Sequence, residues 1–243
     1  MAGIRLAGLV SSFHWIVMDE KDLIHYKELD IYYPRFDNIE LRCTNIMIPC
    51  FHKDTTLSLA GPFTRNYGLI PSHDRVVGWY VSDGKAYLNS EFIPQIDTFV
   101  FCDGKYSFYY EPSENELRKL LIDTAEKGGM AFQQQCWVFN GEISSLYLKN
   151  RDKKYHFRAL SDYGGRLCVI GSREKTQCER FKDLLVELEA RNAISLDTGL
   201  GWQNSWWRES DGRCRILHFF LWPFGTNRIV FKKMAKHKIL PNE

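Results

Sequence analysis

The sequence predicts an α+β fold, in which mixed, largely antiparallel β-sheets with hairpins pack with two main helices and one βαβ crossover. Three dipeptides that favour tight turns separate runs of residues with β propensity, and two segments have the apolar periodicity of a helix. We find no internal repeat, low-complexity segment or linker in the sequence. We therefore predict one domain over residues 1–243.

The turn signals are Asp83-Gly84, Asp103-Gly104 and Asn140-Gly141. Such pairs suit the two-residue type I′ turn, which needs positive φ at both central residues. They predict three hairpins, formed by Arg75–Ser82 with Lys85–Asn89, by Ile96–Cys102 with Lys105–Tyr110, and by Ala131–Phe139 with Glu142–Leu148. Near the N-terminus, Asp37–Ile48 alternates apolar and polar residues as a half-buried strand does. Pro49–Asp74 lacks such a pattern and is predicted to be a long loop.

Two capping-box patterns predict where the helices begin. The first is Ser113–Glu116, and Gly128-Gly129 ends the helix that follows. The second is Thr176–Glu179. Its helix is predicted to bury Phe181, Leu184, Leu185 and Leu188 and to leave Lys182, Asp183, Glu187 and Glu189 outside.

The second helix lies between two apolar segments, Arg166–Ile170 and Ala193–Leu196. A strand, a helix and a strand in this order predict a right-handed βαβ crossover with parallel strands. The chain is predicted to close with a strand at Asn227–Phe231.

Composition is typical of a globular protein and narrows the classes of partner. Hydrophobic residues make up 44% and charged residues 26% of the chain, and the net charge of +2 is too small to favour nucleic acid.

No stretch approaches the roughly 20 apolar residues of a membrane span. The short apolar run Ile4–Val10, which Arg5 interrupts, is not a convincing signal peptide. We expect a cytoplasmic protein if the chain is complete, and a secreted one if a signal peptide has been removed.

The 7 cysteines have neither CxxC spacing nor zinc-ligand spacing with histidines. We therefore expect buried thiols rather than one or two disulfides, and we predict neither a metal nor a cofactor. The motifs of serine hydrolases, zinc proteases, P-loop proteins, dinucleotide-binding folds and EF-hands are absent from the sequence.

The candidate site is centred on Asp197, which follows the apolar segment Ala193–Leu196 and precedes Gly199 and Gly201. A charged residue at a strand end beside flexible backbone is a common way to place a reactive group. Asp197 either caps the next segment or supplies a carboxylate to a pocket. Arg158 is either a rim residue in a salt bridge or a bidentate anion clamp.

Aromatic and imidazole side chains lie near these residues in the sequence. Trp202, Trp206 and Trp207 follow the glycines, and aromatic residues make up 14% of the chain. Such rings either line a sugar or base pocket or fill a β-rich core. His156 precedes Arg158 by two residues and is either structural or part of the site.

Several segments resemble the phosphodiester glycosidase family, whose animal member removes N-acetylglucosamine from a mannose 6-phosphate diester. The resemblance covers about residues 130–233 in order and spacing, and residues 37–90 more loosely. The matching segments are CWVFNGEIS (Cys136–Ser144), HFRALS (His156–Ser161), GGRLCVIGS (Gly164–Ser172), NAISLDTGLGW (Asn192–Trp202) and TNRIVFKK (Thr226–Lys233). Asn45 and Phe51 correspond loosely to an Asn-Gly-Gly-Phe-Phe segment of the family.

The resemblance implies a hydrolase that cleaves the glycosidic bond of a sugar-1-phosphodiester of the N-acetylglucosamine type. It implies that Asp197 is the catalytic carboxylate and that Arg158 binds the phosphate. Expected substrate-binding residues are Asn45, His156, Thr198, Gly199, Gly201 and Trp202.

One difference from the family favours a second reading. The family loop reads Asp-Gly-Gly-Gly-Ser-Ser, whereas Asp197–Trp202 lacks the serines. The alternative is a non-catalytic relative that binds carbohydrate or serves as a structural module in a larger assembly, such as a virion. The expected partners are a sugar phosphodiester or glycan and, for the alternative, the proteins of that assembly.

Overall fold

A computed structural model describes residues 23–43, 54–63, 76–88, 92–144, 153–198, 206–208, 214–216 and 227–233. In these ranges the protein consists mostly of antiparallel β-sheets with two helices, which confirms the α+β class. The strands are β1 (Leu23–Tyr26), β2 (Leu29–Tyr32), β3 (Asn38–Cys43), β4 (Thr55–Ala60), β5 (Tyr80–Ser82), β6 (Lys85–Tyr87), β7 (Thr98–Cys102), β8 (Lys105–Tyr109), β9 (Met130–Gln133), β10 (Cys136–Phe139), β11 (Glu142–Ile143), β12 (Arg158–Tyr163), β13 (Arg166–Ser172), β14 (Asn192–Ser195), β15 (Trp206–Arg208), β16 (Cys214–Ile216) and β17 (Asn227–Lys232). The helices are α1 (Glu114–Glu126) and α2 (Cys178–Glu187).

The described strands form three sheets. The first sheet has the order β1-β2-β13-β12-β14-β10-β11, the second sheet β16-β15-β4-β17-β3, and the third sheet β6-β5-β9-β7-β8. One large core contains residues from all three sheets, including Leu160 of the first, Ile229 of the second and Phe99 of the third. The three sheets therefore share one interior.

Successive strand residues point to opposite faces of a sheet. In the first and third sheets, one face packs on the shared core and a helix covers the other. In β12, Leu160 faces the shared core, whereas Ala159 packs with Phe181 of α2. In the third sheet, Val100 packs with Leu117 of α1. The central strands of each of these sheets are thus buried on both faces.

The three predicted hairpin turns are confirmed. The residues at the turns have positive φ, with Asp83 at 51°, Asp103 at 52° and Asn140 at 51°, and each following glycine is also in the left-handed region. The paired strands are β5 with β6, β7 with β8, and β10 with β11. Local turn chemistry was sufficient for these predictions, because it fixes both the position of the turn and the register.

Helix α1 begins as predicted, whereas the start of α2 differs. Ser113 and Glu116 form the full capping box, and Gly128 follows the end of the helix with φ 68°. In α2 the N-cap is Gln177, which makes no side-chain capping hydrogen bond. The predicted capping box at Thr176 is therefore wrong, because the backbone of Thr176 instead pairs with Tyr155 in an isolated bridge.

A second prediction for α2 is also wrong. Lys182 was expected to lie outside, but it is only 6% exposed. Its ammonium donates to the Ser144 carbonyl at 3.2 Å and lies 5.9 Å from the ring centroid of Trp137. The predicted apolar stripe is confirmed, with Phe181, Leu184, Leu185 and Leu188 all buried.

Two strand predictions are corrected by pairing between distant segments. The predicted loop Pro49–Asp74 contains β4, which is wholly buried and pairs with β17 and β15. The predicted strand Ala131–Phe139 is two strands, β9 in the third sheet and β10 in the first. Trp206 and Trp207 lie in β15.

In the segment predicted as a crossover, β13 and β14 both pair antiparallel with β12, which lies between them. The right-handed βαβ crossover itself stays a prediction, as does the single domain. No helix among the described residues is long and apolar enough to cross a bilayer. Cys102, Cys136, Cys168 and Cys178 are free thiols.

Candidate functional site

Four strand ends meet where the first sheet adjoins the second. Here β12 begins at Arg158, β14 ends two residues before Asp197, β4 ends before Gly61, and β17 begins at Asn227. The Asp197 N–H donates to the Gly61 carbonyl at 2.8 Å, and the Gly61 N–H donates to the Asn227 carbonyl at 2.8 Å. Backbone hydrogen bonds thus hold the candidate aspartate against the second sheet.

Close backbone contact explains the glycine at this junction. A Cβ atom at Gly61 would lie 3.1 Å from Cγ1 and 3.3 Å from the backbone nitrogen of Ile229, tighter than ordinary van der Waals contact. On the other side, the Leu196 N–H donates to the Arg158 carbonyl at 3.0 Å. Asp197 is therefore fixed through its neighbours to both sheets.

The charged side chains at this junction are deeply buried. Arg158 is 2% exposed, Asp197 6% and Arg228 0%. The Arg228 Nε donates to the Ser58 Oγ at 2.8 Å. The Asn227 amide donates to the carbonyls of Pro62 at 3.2 Å and Phe63 at 3.3 Å. We call Arg158, Asp197 and Arg228 the junction cluster.

The junction cluster places two guanidiniums near one carboxylate. The pKa of Arg158 is lowered to about 9, first by burial and then by the charge of Arg228, and Asp197 opposes the change. The formal charges of the three side chains sum to +1. Guanidiniums in a site of low dielectric constant bind phosphate strongly, because their planar donors match its oxygens. The cluster is therefore suited chemically to an anion beside a carboxylate.

His156 lies near the junction cluster and is half-buried. Its pKa is lowered, first by burial and also by the positive charges of Lys175 and Arg158. The backbone on either side is fixed to β13, since the Phe157 N–H donates to the Ser172 Oγ at 3.0 Å and the Ser172 N–H donates to the Phe157 carbonyl at 2.9 Å. The imidazole therefore favours its neutral form beside two cations.

The structure brings together three of the residues predicted from the sequence: Arg158, Asp197 and His156. Thr198 directly follows Asp197 and is half-buried. The burial of Arg158 does not fit a position at the rim of the protein. Asn45, Gly199, Gly201 and Trp202 lie outside the described residues. The roles of all these residues stay predictions.

Sequence reasoning missed Arg228, Asn227 and Ser58. The sequence does indicate Arg228, because an arginine inside an apolar strand segment is unusual, as it is for Arg158. Ser58 had none, since it lies in the segment that was interpreted as a loop. Among the described residues, no group of three or more His, Cys, Asp or Glu side chains could hold a metal ion.

Comparison with known proteins supports the fold and leaves the activity open. No family model matches the chain, and no curated protein matches it. The zebrafish N-acetylglucosamine-1-phosphodiester alpha-N-acetylglucosaminidase catalytic domain, solved in a form auto-inhibited by its pro-peptide, is similar in structure with a TM-score of 0.54. The two sequences are 13% identical, and the similarity covers 85% of this chain and 76% of that chain. Likeness at this level shows a weak fold relationship alone.

Proposed function

We propose that this protein is a hydrolase that cleaves the glycosidic bond of a sugar-1-phosphodiester of the N-acetylglucosamine type. The observation that carries the proposal is the junction cluster, in which two buried guanidiniums lie near one buried carboxylate. The structural likeness to a phosphodiester glycosidase supports it.

The proposed reaction breaks the bond between the anomeric carbon and the bridging phosphate oxygen. Water supplies the new hydroxyl at the anomeric carbon, and the phosphate leaves as a monoester with the bonding electron pair. Because this leaving group is stable as an anion, it needs less help from a general acid than a sugar alcohol does. Arg158 and Arg228 neutralise the charge that develops on the leaving phosphate.

Asp197 has the complementary role in this proposal. Its carboxylate stabilises the oxocarbenium-like anomeric carbon or accepts the proton of the attacking water. Backbone hydrogen bonds to Gly61 and, through Leu196, to Arg158 fix its position relative to the guanidiniums. A fixed carboxylate avoids the cost of reorganisation during the reaction.

Release of N-acetylglucosamine from its 1-(methyl phosphate) diester tests this proposal. Asp197→Asn should lower kcat by about 10³-fold, the size expected when one electrostatic contact to the transition state is lost. Asp162→Asn is the matched control, because Asp162 is about as buried as Asp197 but lies at the other end of β12 from Arg158 and accepts a hydrogen bond from the Tyr106 hydroxyl at 3.2 Å. Full turnover by folded Asp197→Asn protein would show that the assignment is wrong.

The same assay addresses the alternative function. A non-catalytic carbohydrate-binding relative would bind the diester without releasing sugar, and its affinity would still depend on Arg158. Binding is measured by titration calorimetry with the same diester. Binding without turnover would favour the alternative.

A further inference from the structure

A second basic region lies beside the junction cluster, at the edge of the first sheet. It is a cavity of about 520 Å³ lined by four basic side chains, two acidic side chains and Thr176. We call it the edge cavity. The basic residues are Lys27, Lys154, Arg173 and Lys175.

The edge cavity has an excess of positive charge, because its four basic side chains outnumber its two acidic ones. The Lys27 ammonium is paired with Glu187 at 2.5 Å, and Glu28 is paired with Arg180 at 2.9 Å. Lys154 and Lys175 form no ion pair among the described residues, and Glu174 is the remaining acid in the lining. A cavity of this kind attracts an anion.

The register of the first sheet relates Arg173 to Arg158. Arg158 pairs with Gly171 across β12 and β13, and Gly171 pairs with Asp30 on its other side. Arg173 follows Gly171 by two residues and therefore points to the same face. Its Nε lies 3.7 Å from the Asp30 Oδ1, which agrees with that orientation. One strand spacing and two residues place the Cα atoms of Arg158 and Arg173 roughly 8 Å apart.

His156 lies near residues of both regions. Its pKa responds both to Lys175 of the edge cavity and to Arg158 of the junction cluster. The segment that carries Lys175 is held against the segment that carries His156, since Tyr155 and Thr176 exchange backbone hydrogen bonds of 2.9 and 2.8 Å. The edge cavity is therefore close to the junction cluster along the first sheet, and Arg173 is the cavity residue that shares a face with Arg158.

We propose that the edge cavity is a second anion subsite, which binds a further phosphate on the leaving-group side of the substrate. This inference rests on the proposed function and narrows its substrate class to glycosyl diphosphate esters, such as a nucleoside diphosphate sugar. Arg158 and Arg228 bind the phosphate attached to the anomeric carbon. Arg173, Lys175 and Lys154 bind the next one.

Binding of UDP, measured by titration calorimetry, tests the subsite without requiring turnover. Arg173→Gln and Lys175→Gln should each weaken UDP binding by about tenfold, the size expected for loss of one charge-assisted contact. Lys175→Gln guards against a folding effect, because Lys175 forms no ion pair among the described residues, whereas Arg173 lies near Asp30. Lys105→Gln, at an exposed turn residue of β8, is the matched control and should bind UDP as the unchanged protein does. Equal affinity in all four proteins would overturn the subsite.

Turnover then separates failure of the subsite from failure of the proposed function. With UDP-N-acetylglucosamine, Arg173→Gln should raise KM about tenfold, and with the 1-(methyl phosphate) diester it should leave KM unchanged, since that substrate has one phosphate. Equal KM changes for both substrates would overturn the subsite and leave the hydrolase. Weaker UDP binding in the two variants without turnover of either substrate would support the subsite and reject the hydrolase.

Discussion

The protein buries an aspartate at each of two junctions between sheets, and the two differ in their surroundings. At the junction of the first and third sheets, the Asp97 carboxylate accepts hydrogen bonds from the Cys136 N–H at 2.8 Å and the Glu111 N–H at 3.1 Å. At the junction of the first and second sheets, Arg158 interacts electrostatically with both Asp197 and Arg228. The Asp97 carboxylate accepts from backbone donors, whereas Asp197 interacts with the buried Arg158 guanidinium.

With the proposed function, this difference separates a structural role of Asp97 from a chemical role of Asp197. The Asp97 carbonyl also accepts from the Gln134 N–H at 2.9 Å, so this residue fixes the chain where it passes from β9 to β10. The fold thus accounts for both oxygens of the Asp97 carboxylate. Two buried cations beside one carboxylate are costly to desolvate, and a bound anion offsets that cost. The comparison predicts that changes at Asp97 affect stability and that changes in the junction cluster affect activity.

The largest expected effect is on turnover in Arg158→Met. Loss of one guanidinium should lower kcat/KM for the sugar phosphodiester by about 10²–10³-fold. The free energy of unfolding should stay nearly the same, because relief of the burial of Arg158 and of its repulsion by Arg228 offsets the lost attraction to Asp197. Urea unfolding and sugar release measure the two quantities. A large loss of stability would show that Arg158 has a structural role.

Asp97→Ala should show the reverse pattern. It leaves two backbone N–H groups without their acceptor and should lower the free energy of unfolding by about 2–3 kcal/mol. Turnover per folded molecule should be unchanged. Asp123→Ala, at an exposed position of α1, is the control for urea unfolding. A stability equal to that of the control would remove the structural role from Asp97.

Ser58→Ala should have a smaller effect on activity. Without the Ser58 hydroxyl, the Arg228 guanidinium loses a fixed acceptor, and kcat/KM should fall about three- to tenfold. Ser82→Ala is the matched control, because this buried hydroxyl donates to the Leu41 carbonyl at 2.6 Å away from the cluster. If both variants lost the same activity, the effect would be general and Arg228 would have no special role.

The smallest expected effect concerns pH. Burial raises the pKa of Asp97, and the backbone hydrogen bonds from Cys136 and Glu111 oppose this change. A raised pKa in the folded state means that the contribution to stability is complete below the unfolded pKa of about 3.9 and is lost as the pH rises through the folded value. The stability of Asp97→Asn relative to the unchanged protein should therefore rise as the pH increases from acid to neutral. Urea unfolding across this range measures the change, and a difference that does not vary with pH would contradict it.

Local chemistry accounts for the successful predictions. The three hairpins follow from dipeptides that adopt positive φ, and α1 begins where the side chains of Ser113 and Glu116 cap it. Arg158 and Asp197 were found because a charge inside or directly after an apolar segment is visible in the sequence. The second capping box failed because Thr176 has a backbone partner, Tyr155, which lies 21 positions earlier in the chain.

Contacts between distant segments account for the rest. β4 is a central strand because β17 and β15, from the far end of the sequence, pair with its two edges. The residues of β4 themselves do not indicate these partners. Ala131–Phe139 divides between two sheets because Asp97 accepts hydrogen bonds from both Gln134 and Cys136. Arg228 joins the candidate site only through the pairing of β17 with β4.

The sequence by itself determined the α+β class, the turns, the two helices and two charged residues of the candidate site, because each depends on residues that are close in the chain. The tertiary structure decided which strands share a sheet and which charges share a site. Arg158, Asp197 and Arg228 are distant in sequence, and the pairing of β12 with β14 and of β4 with β17 brings them together. The lowered pKa of Arg158 arises from burial, and Arg158 is removed from water only in the folded chain.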